Sequence, residues 1–306
     1  METFKLILLI LSIILIILII ILNVFCIVFT VRMVNPKKRY STIDHENFIK
    51  SKLGIDVNTL VKRDKFTFTM SDGYIINAEA SIINDSNKFV ILSHGITSTR
   101  ISSIRFAKLF NDLGYNTIIY DLRGHGDNAR YKCTLGINEA NDLSEIIIQT
   151  YQKFGDDIFL GLFGVSLGAS TSILVTSINQ RIKFIVEDCG FANLRNVPQD
   201  RAKDLSHLPR FIFTIPLRFY FRLFTNMSYL DILPSDSASK MNIPLLIMHG
   251  DNDKFVDVEN AYIFNEVTTS LKMMYIFKGS GHCASFSDHK DEYKEVLRAF
   301  LNKVEE

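Results

Sequence analysis

The chain has 306 residues and a formal net charge of +1, with 34 Lys and Arg against 33 Asp and Glu. So even a balance excludes the basic surface that nucleic-acid phosphates require, and no nucleic-acid partner is expected. The length suits one α/β domain and leaves room for a separate terminal segment.

The first element is an apolar run over residues 6–31, interrupted only by Ser12, Asn23, Cys26 and Thr30. At about 1.5 Å per residue it reaches about 39 Å, more than the ~30 Å hydrocarbon core of a bilayer. A cleaved signal peptide would need an apolar centre of about 7–15 residues and a small-residue cleavage site. Neither is present, and Val24-Phe25-Cys26 does not make a lipoprotein cleavage box. The expectation is a single-pass transmembrane helix over 6–31. Lys5 precedes the run, whereas Arg32, Lys37, Lys38 and Arg39 follow it, so the positive-inside rule favours a cytoplasmic domain. An extracytoplasmic domain is the alternative, because a very short N-terminal tail can stay inside for other reasons. Outside the run only Cys133, Cys189 and Cys283 remain. They are an odd, scattered set without metal or disulfide spacing, which fits a reducing compartment.

Residues 32–61 read as a polar juxtamembrane connector and 62–306 as the domain. Residues 65–70 and 74–80 flank Ser71-Asp72-Gly73 and predict an antiparallel hairpin. Short apolar runs of the buried parallel-strand type follow at 89–92, 117–120, 158–163, 184–186, 244–248 and 274–277. Amphipathic segments at 104–113, 138–154, 260–268 and 288–304 lie between and after them. This alternation implies an α/β fold: a mostly parallel central sheet, helices on both faces, and the hairpin as an antiparallel edge. Residues 193–241 break the pattern, being rich in Phe and Arg without a strand signal. They are expected to form a helical cap insertion over the C-terminal edge of the sheet, with Pro216 in the first turn of a helix. The phenylalanines are expected to pack this insertion onto the domain, an acyl-binding wall being the alternative.

Ligands of open α/β sheets sit beyond the carboxyl ends of the strands. The runs end in Ser93-His94-Gly95-Ile96-Thr97, Asp121-Leu122-Arg123-Gly124-His125-Gly126, Gly164-Val165-Ser166-Leu167-Gly168, His249-Gly250-Asp251-Asn252-Asp253 and Gly279-Ser280-Gly281-His282. The third places a serine on a sharp strand-to-helix turn, where Cβ atoms two residues to either side would collide.

These motifs, in the order Ser…Asp…His from about residue 65 to the C-terminus, resemble the α/β-hydrolase superfamily. Within it the chain looks like serine aminopeptidase S33-type and related membrane-tethered bacterial hydrolases. The resemblance implies the α/β-hydrolase fold, with Ser166 as nucleophile, His282 as its base and Asp253 orienting the imidazole. Asp251 competes with Asp253 for that last role. The backbone N–H groups of Leu167 and Ile96 would form the oxyanion hole. His94 and His249 read as turn-shaping residues. Arg123 and His125 would lock the loop that Asp121 anchors. Cys283, beside the histidine, reads as a small buried side chain, with a redox handle as the alternative.

The resulting expectation is a membrane-anchored serine hydrolase without metal or organic cofactor, acting on a small-molecule or lipid ester through an acyl-serine intermediate. Peptide or amide cleavage is the alternative within the class, and a catalytically silent scaffold at the membrane is the alternative outside it. Dehalogenase-type chemistry fits less well, because those enzymes carry an aspartate at the elbow. Protein partners are not legible in the sequence.

Overall fold

Apolar runs of three to six residues bounded by turns are too short to make buried helices, and in this chain they become strands. The computed structural model describes residues 1–35, 41–53, 56–83, 86–195 and 197–306. Lys37, Lys38 and Arg39, which carry most of the charge asymmetry around the apolar run, lie outside the described residues.

The strands are β1 (Asp64–Thr69), β2 (Ile75–Ser81), β3 (Lys88–Ser93), β4 (Asn116–Tyr120), β5 (Phe159–Val165), β6 (Phe184–Asp188), β7 (Leu245–Gly250) and β8 (Lys272–Phe277). They form one eight-stranded sheet in the order β1-β2-β4-β3-β5-β6-β7-β8. The hairpin β1–β2 is antiparallel and joins β4 antiparallel, whereas β4 through β8 run parallel.

The helices are α1 (Glu2–Val34), α2 (Thr42–Leu53), α3 (Val57–Leu60), α4 (Ile104–Asp112), α5 (Ile137–Phe154) and α6 (Leu167–Leu174). After them come α7 (Val197–Ser206), α8 (Phe211–Thr225), α9 (Pro234–Lys240), α10 (Glu259–Val267), α11 (Ser285–Asp288) and α12 (Lys290–Glu305). Each face of the sheet buries its own cluster. Ile91 of β3 joins the side covered by Leu143 and Ile146 of α5 and Ile173 of α6. Its neighbours Val90 and Leu92 join Phe106 and Phe110 of α4 and Leu297 and Phe300 of α12. The alternation is the two-residue period of a strand covered on both faces. The expected fold class is therefore present, with the hairpin at one edge.

Three details differ from the sequence expectation. The stretch read as a connector contains α2 and α3, and it is tied to the strand-end loops. Thr42 donates its N–H and hydroxyl to the Asp127 carboxylate, and His45 Nδ1 lies 2.8 Å from Thr99 Oγ1. Pro216 sits inside α8, not in its first turn, because the helix already begins at Phe211. Its missing N–H therefore removes an interior hydrogen bond of that helix.

The third difference is that the fold divides the apolar run in two. Residues 2–21 are exposed, while Cys26, Thr30 and Val34 are buried against the domain. The Tyr220 hydroxyl of α8 donates to Asn23 Oδ1 at 2.7 Å, the Phe25 and Phe213 rings meet at 5.5 Å, and Cys133 N–H donates to Val34 O. By length and composition α1 is able to cross a membrane. Its Ser12 hydroxyl and Asn23 amide donate back to the carbonyls of Leu8 and Ile19, which leaves neither donor bare in an apolar medium.

Candidate active site

Ser166 stands between β5 and α6 with φ 56° and ψ −118°, a left-handed backbone that few non-glycine residues adopt. Its N–H donates to Asp188 O at 2.8 Å, which fixes the turn against β6. The flanking glycines are needed because strand and helix backbones nearly touch. A Cβ on Gly164 would lie 2.2 Å from Gly168 O, and one on Gly168 would lie 2.2 Å from Ser93 O. Backbone cannot yield as a side chain can, so Gly168→Val is expected to cost about 3 kcal/mol of stability in chemical denaturation. A loss within about 0.5 kcal/mol would mean that the elbow is not packed this closely.

The parallel register brings the ends of β7 and β8 beside this elbow. His282 Nε2 lies 2.9 Å from Ser166 Oγ, and His282 Nδ1 lies 2.6 Å from Asp253 Oδ2. An ionised carboxylate only accepts, so Nδ1 carries the proton and Nε2 is free to accept from the serine hydroxyl. Asp253 is buried, and its Oδ1 accepts from Phe255 and Val256 N–H at 2.7 and 2.9 Å. Burial alone would raise this carboxyl; the hydrogen bonds from His249 and His282 outweigh it and hold the group well below the usual carboxylate range. Asp251 is exposed and accepts from Gly279 N–H, so it braces the neighbouring loop and does not reach the imidazole.

His282 responds to the same pair of opposed causes. Desolvation favours its neutral form, but the hydrogen bond to Asp253 and the adjoining Cys283 thiol outweigh this and raise its pKa above the ordinary imidazole value. Its ring stacks on Phe255 with centroids 4.9 Å apart.

The proposed oxyanion donors flank Ser166. Leu167 opens α6 and Ile96 follows His94-Gly95, and neither N–H has a hydrogen-bond acceptor among the described residues. A Cβ on Gly95 would sit 3.4 Å from the Ser166 Cβ, so the Ile96 loop lies directly against Ser166.

The remaining strand-end residues serve as braces. His94 Nδ1–H donates to Gly95 O and its Nε2 accepts from Leu122 N–H, linking two loops. Burial keeps this ring neutral. Asp121 accepts from the N–H groups of Arg100 and Asp127, and the Arg100 guanidinium pairs with it. Arg123 pairs with Asp72 and Asp142 between the rings of Tyr74 and Tyr131, and His125 Nδ1–H donates to Arg123 O. His249 Nε2 lies 2.8 Å from Val256 O and 3.3 Å from Asp253 Oδ2, so it supports the acid from behind.

Ser166 opens into an apolar cavity of about 420 Å³. Ile96, Leu167 and Phe191 line it from the domain, and Leu194, Val197 and Leu205 line it from the insertion. The third wall comes from α1, through Phe25, Val28, Phe29 and Met33. That wall is not visible in the sequence, where all apolar positions of the run look alike. None of the α8 phenylalanines lines the cavity. Phe213 and Phe221 are buried, while Phe211, Ile215, Phe219 and Leu223 form an outward stripe at four-residue spacing, 61% to 80% exposed.

Sequence reading also missed Cys189, whose Sγ lies 3.5 Å from that of Cys283. Cys283 is only partly buried, contrary to expectation. Among the described residues, Cys189, His282 and Cys283 are the three whose possible metal-ligand atoms lie within 4.8 Å of one another. Both His282 nitrogens are already committed to Asp253 and Ser166, so these residues do not fit a metal while that chain of bonds is intact.

A family model described as the alpha/beta hydrolase fold matches residues 88–224. The Bacillus subtilis protein YqkD, of uncharacterized activity, is 25% identical over 246 residues, covering 80% of this chain and 81% of its own. The solved structure of the Pyrococcus furiosus esterase Pf2001 aligns with a TM-score of 0.67 at 22% identity, covering 80% of this chain and 93% of that one. A membrane phospholipase A, described as a bacterial virulence factor, aligns with a TM-score of 0.60 at 15% identity, covering 85% and 93%. At these identities the solved structures speak for the fold.

Proposed function

We propose that this chain, which has the α/β-hydrolase fold, is a membrane-anchored serine hydrolase that cleaves carboxylic esters of acyl lipids. The observation that carries the reading is the bonded series Ser166–His282–Asp253 at the floor of an apolar cavity walled partly by α1.

An unassisted hydroxyl is a poor nucleophile near neutral pH. In the proposed reaction His282 Nε2 takes the Ser166 proton as Oγ attacks the ester carbonyl carbon. Asp253 stabilises the imidazolium that forms and keeps its ring in register. The oxyanion receives the N–H groups of Ile96 and Leu167. Collapse expels the alcohol, which takes the proton from His282, and leaves acyl-Ser166. Water activated by the same imidazole then releases the acid.

The lipid part of the reading rests on where α1 runs. Residues 2–21 stand clear of the domain. At about 1.5 Å per residue they reach about 30 Å, the thickness of bilayer hydrocarbon. The segment that follows, from Asn23 to Val34, packs on the domain and lines the cavity, so a bilayer around residues 2–21 ends beside the mouth. The exposed stripe of α8 continues the same apolar surface and would rest in the headgroup boundary of that bilayer. Support also comes from two neighbours in fold, one an esterase and one a membrane phospholipase A. The basic residues after the run favour a cytoplasmic domain.

The test is an activity panel of short- and long-chain esters alongside aminoacyl amides. Phe29→Ala removes apolar wall and is expected to lower kcat/KM for a long-chain ester about tenfold, with an acetyl ester changed less than about twofold. Equal losses on both esters would remove α1 from acyl recognition, and a preference for amides would overturn the esterase choice.

A further inference from the structure

Cys189 and Cys283 have no part in the hydrolytic steps, yet they lie side by side against the base. We propose that these two thiols form a reversible disulfide that switches the active site off when a peroxide enters it. The proposal rests on the serine-hydrolase reading for its effect, though not for its chemistry.

The geometry sets the two thiols up unequally. Cys189 follows β6 directly; it is 1% exposed, and its N–H donates to Met248 O at 2.9 Å. Cys283 follows His282 in a surface loop and lines a second cavity, of about 220 Å³, together with Ser166 and His282. A small oxidant that reaches the nucleophile therefore also reaches Cys283. The Arg105 guanidinium lies 3.4 Å from the Cys283 carbonyl oxygen. The Cys189 S–H across the 3.5 Å gap holds the Cys283 thiol below its usual range, against burial and with the help of His282. Burial holds Cys189 well above that range. A low-pKa, accessible thiol beside a buried partner is the arrangement of an attacking and a resolving cysteine.

Each step balances. The Cys283 thiolate attacks one oxygen of hydrogen peroxide; an S–O bond forms, the O–O bond breaks, and the departing hydroxide takes a proton to become water. The Cys189 sulfur then attacks the Cys283 sulfenic sulfur. The S–S bond forms, the S–O bond breaks, and hydroxide leaves with the Cys189 proton as a second water. Two thiols are oxidised to one disulfide while one peroxide is reduced to two waters. A dithiol reductant reverses the outcome by exchange.

Closing the bond requires the sulfurs to approach from 3.5 Å to about 2.05 Å, a movement of about 1.5 Å. Cys189 is anchored to β7 through Met248, so the Cys283 loop moves and takes His282 with it. A displacement of that size separates Nε2 from Ser166 Oγ and is expected to cut reactivity about 100-fold or more.

The experiment treats the full chain in detergent micelles with hydrogen peroxide, with and without later dithiothreitol. Peptide mapping reads the Cys189–Cys283 crosslink, and a fluorophosphonate probe reads Ser166. Supporting results are a crosslink between those two peptides with labelling reduced about 100-fold, and on reduction the loss of the crosslink with recovery of labelling. Cys189→Ser should lose the crosslink. Separate, reduced or singly oxidised peptides would overturn the disulfide, and a crosslinked protein that still labels fully would overturn the switch. A reduced protein that never labels would instead sink the hydrolase reading and with it the switch, while the crosslink still decides the thiol chemistry.

Discussion

Replacing Ser166 with alanine is expected to lower ester hydrolysis by roughly 10⁴-fold or more and to abolish fluorophosphonate labelling, with the fold retained. The loss is large because no acyl-enzyme can form, and what survives comes only from the oxyanion donors and substrate binding. Retention of the fold follows from the local contacts. The hydroxyl bonds to His282 alone, and the turn itself is held by Ser166 N–H on Asp188 O. Alanine at φ 56° carries the same backbone strain as serine, so folded and thermally intact protein is the expected background. Labelling that persists in Ser166→Ala would place the nucleophile elsewhere. Wild-type protein that never labels would turn the molecule into a scaffold with a silent site.

Asp253→Asn is the second large effect, about 10⁴-fold in kcat, and it also carries a pH signature. The amide keeps an oxygen for the N–H groups of Phe255 and Val256, so the loop survives. Its NH2 then faces His282 Nδ1, which drives the imidazole proton to Nε2, where it points at the serine and blocks proton transfer. The acid limb of kcat/KM should move as well. Catalysis needs neutral His282, and below its pKa the ring is charged and inactive. Because Asp253 and Cys283 raise that pKa, the wild-type limb lies above the ordinary imidazole value of 6.5 and activity rises with pH through it. Removing the carboxylate lowers the pKa, so the residual activity of the variant should persist to lower pH. A loss under tenfold, or a limb that stays in place, would show that Asp253 does not orient the base.

Much of this site could be read from local spacing. Gly164-Val165-Ser166-Leu167-Gly168 encodes its own geometry, since only glycine fits where Ser93 O and Gly168 O approach within 2.2 Å of the missing Cβ atoms. Asp253 and His282 were legible because each follows a strand, and parallel strands deliver their C-terminal ends to one edge. The choice of Asp253 over Asp251 came from the resemblance to the family's acid position and not from spacing. Both follow β7 within three residues, and which carboxylate turns toward the imidazole depends on how the loop folds over Val256. Pro216 misled for a related reason. Proline is common in a first turn, yet α8 packs tightly enough on α1 to continue past it.

The sequence by itself determined the fold class and the candidate nucleophile, base and acid, because strand period, glycine placement and strand-end position are local and survive without contacts. Only the tertiary structure divided the uniform apolar run into an exposed span and a cavity wall, because hydrophobicity alone does not say whether a side chain meets lipid or protein. It likewise brought Cys189 to Cys283 across 94 residues, which no spacing rule could anticipate. That pairing arises because β6 and the loop after β8 end on the same edge of the sheet, beside the histidine.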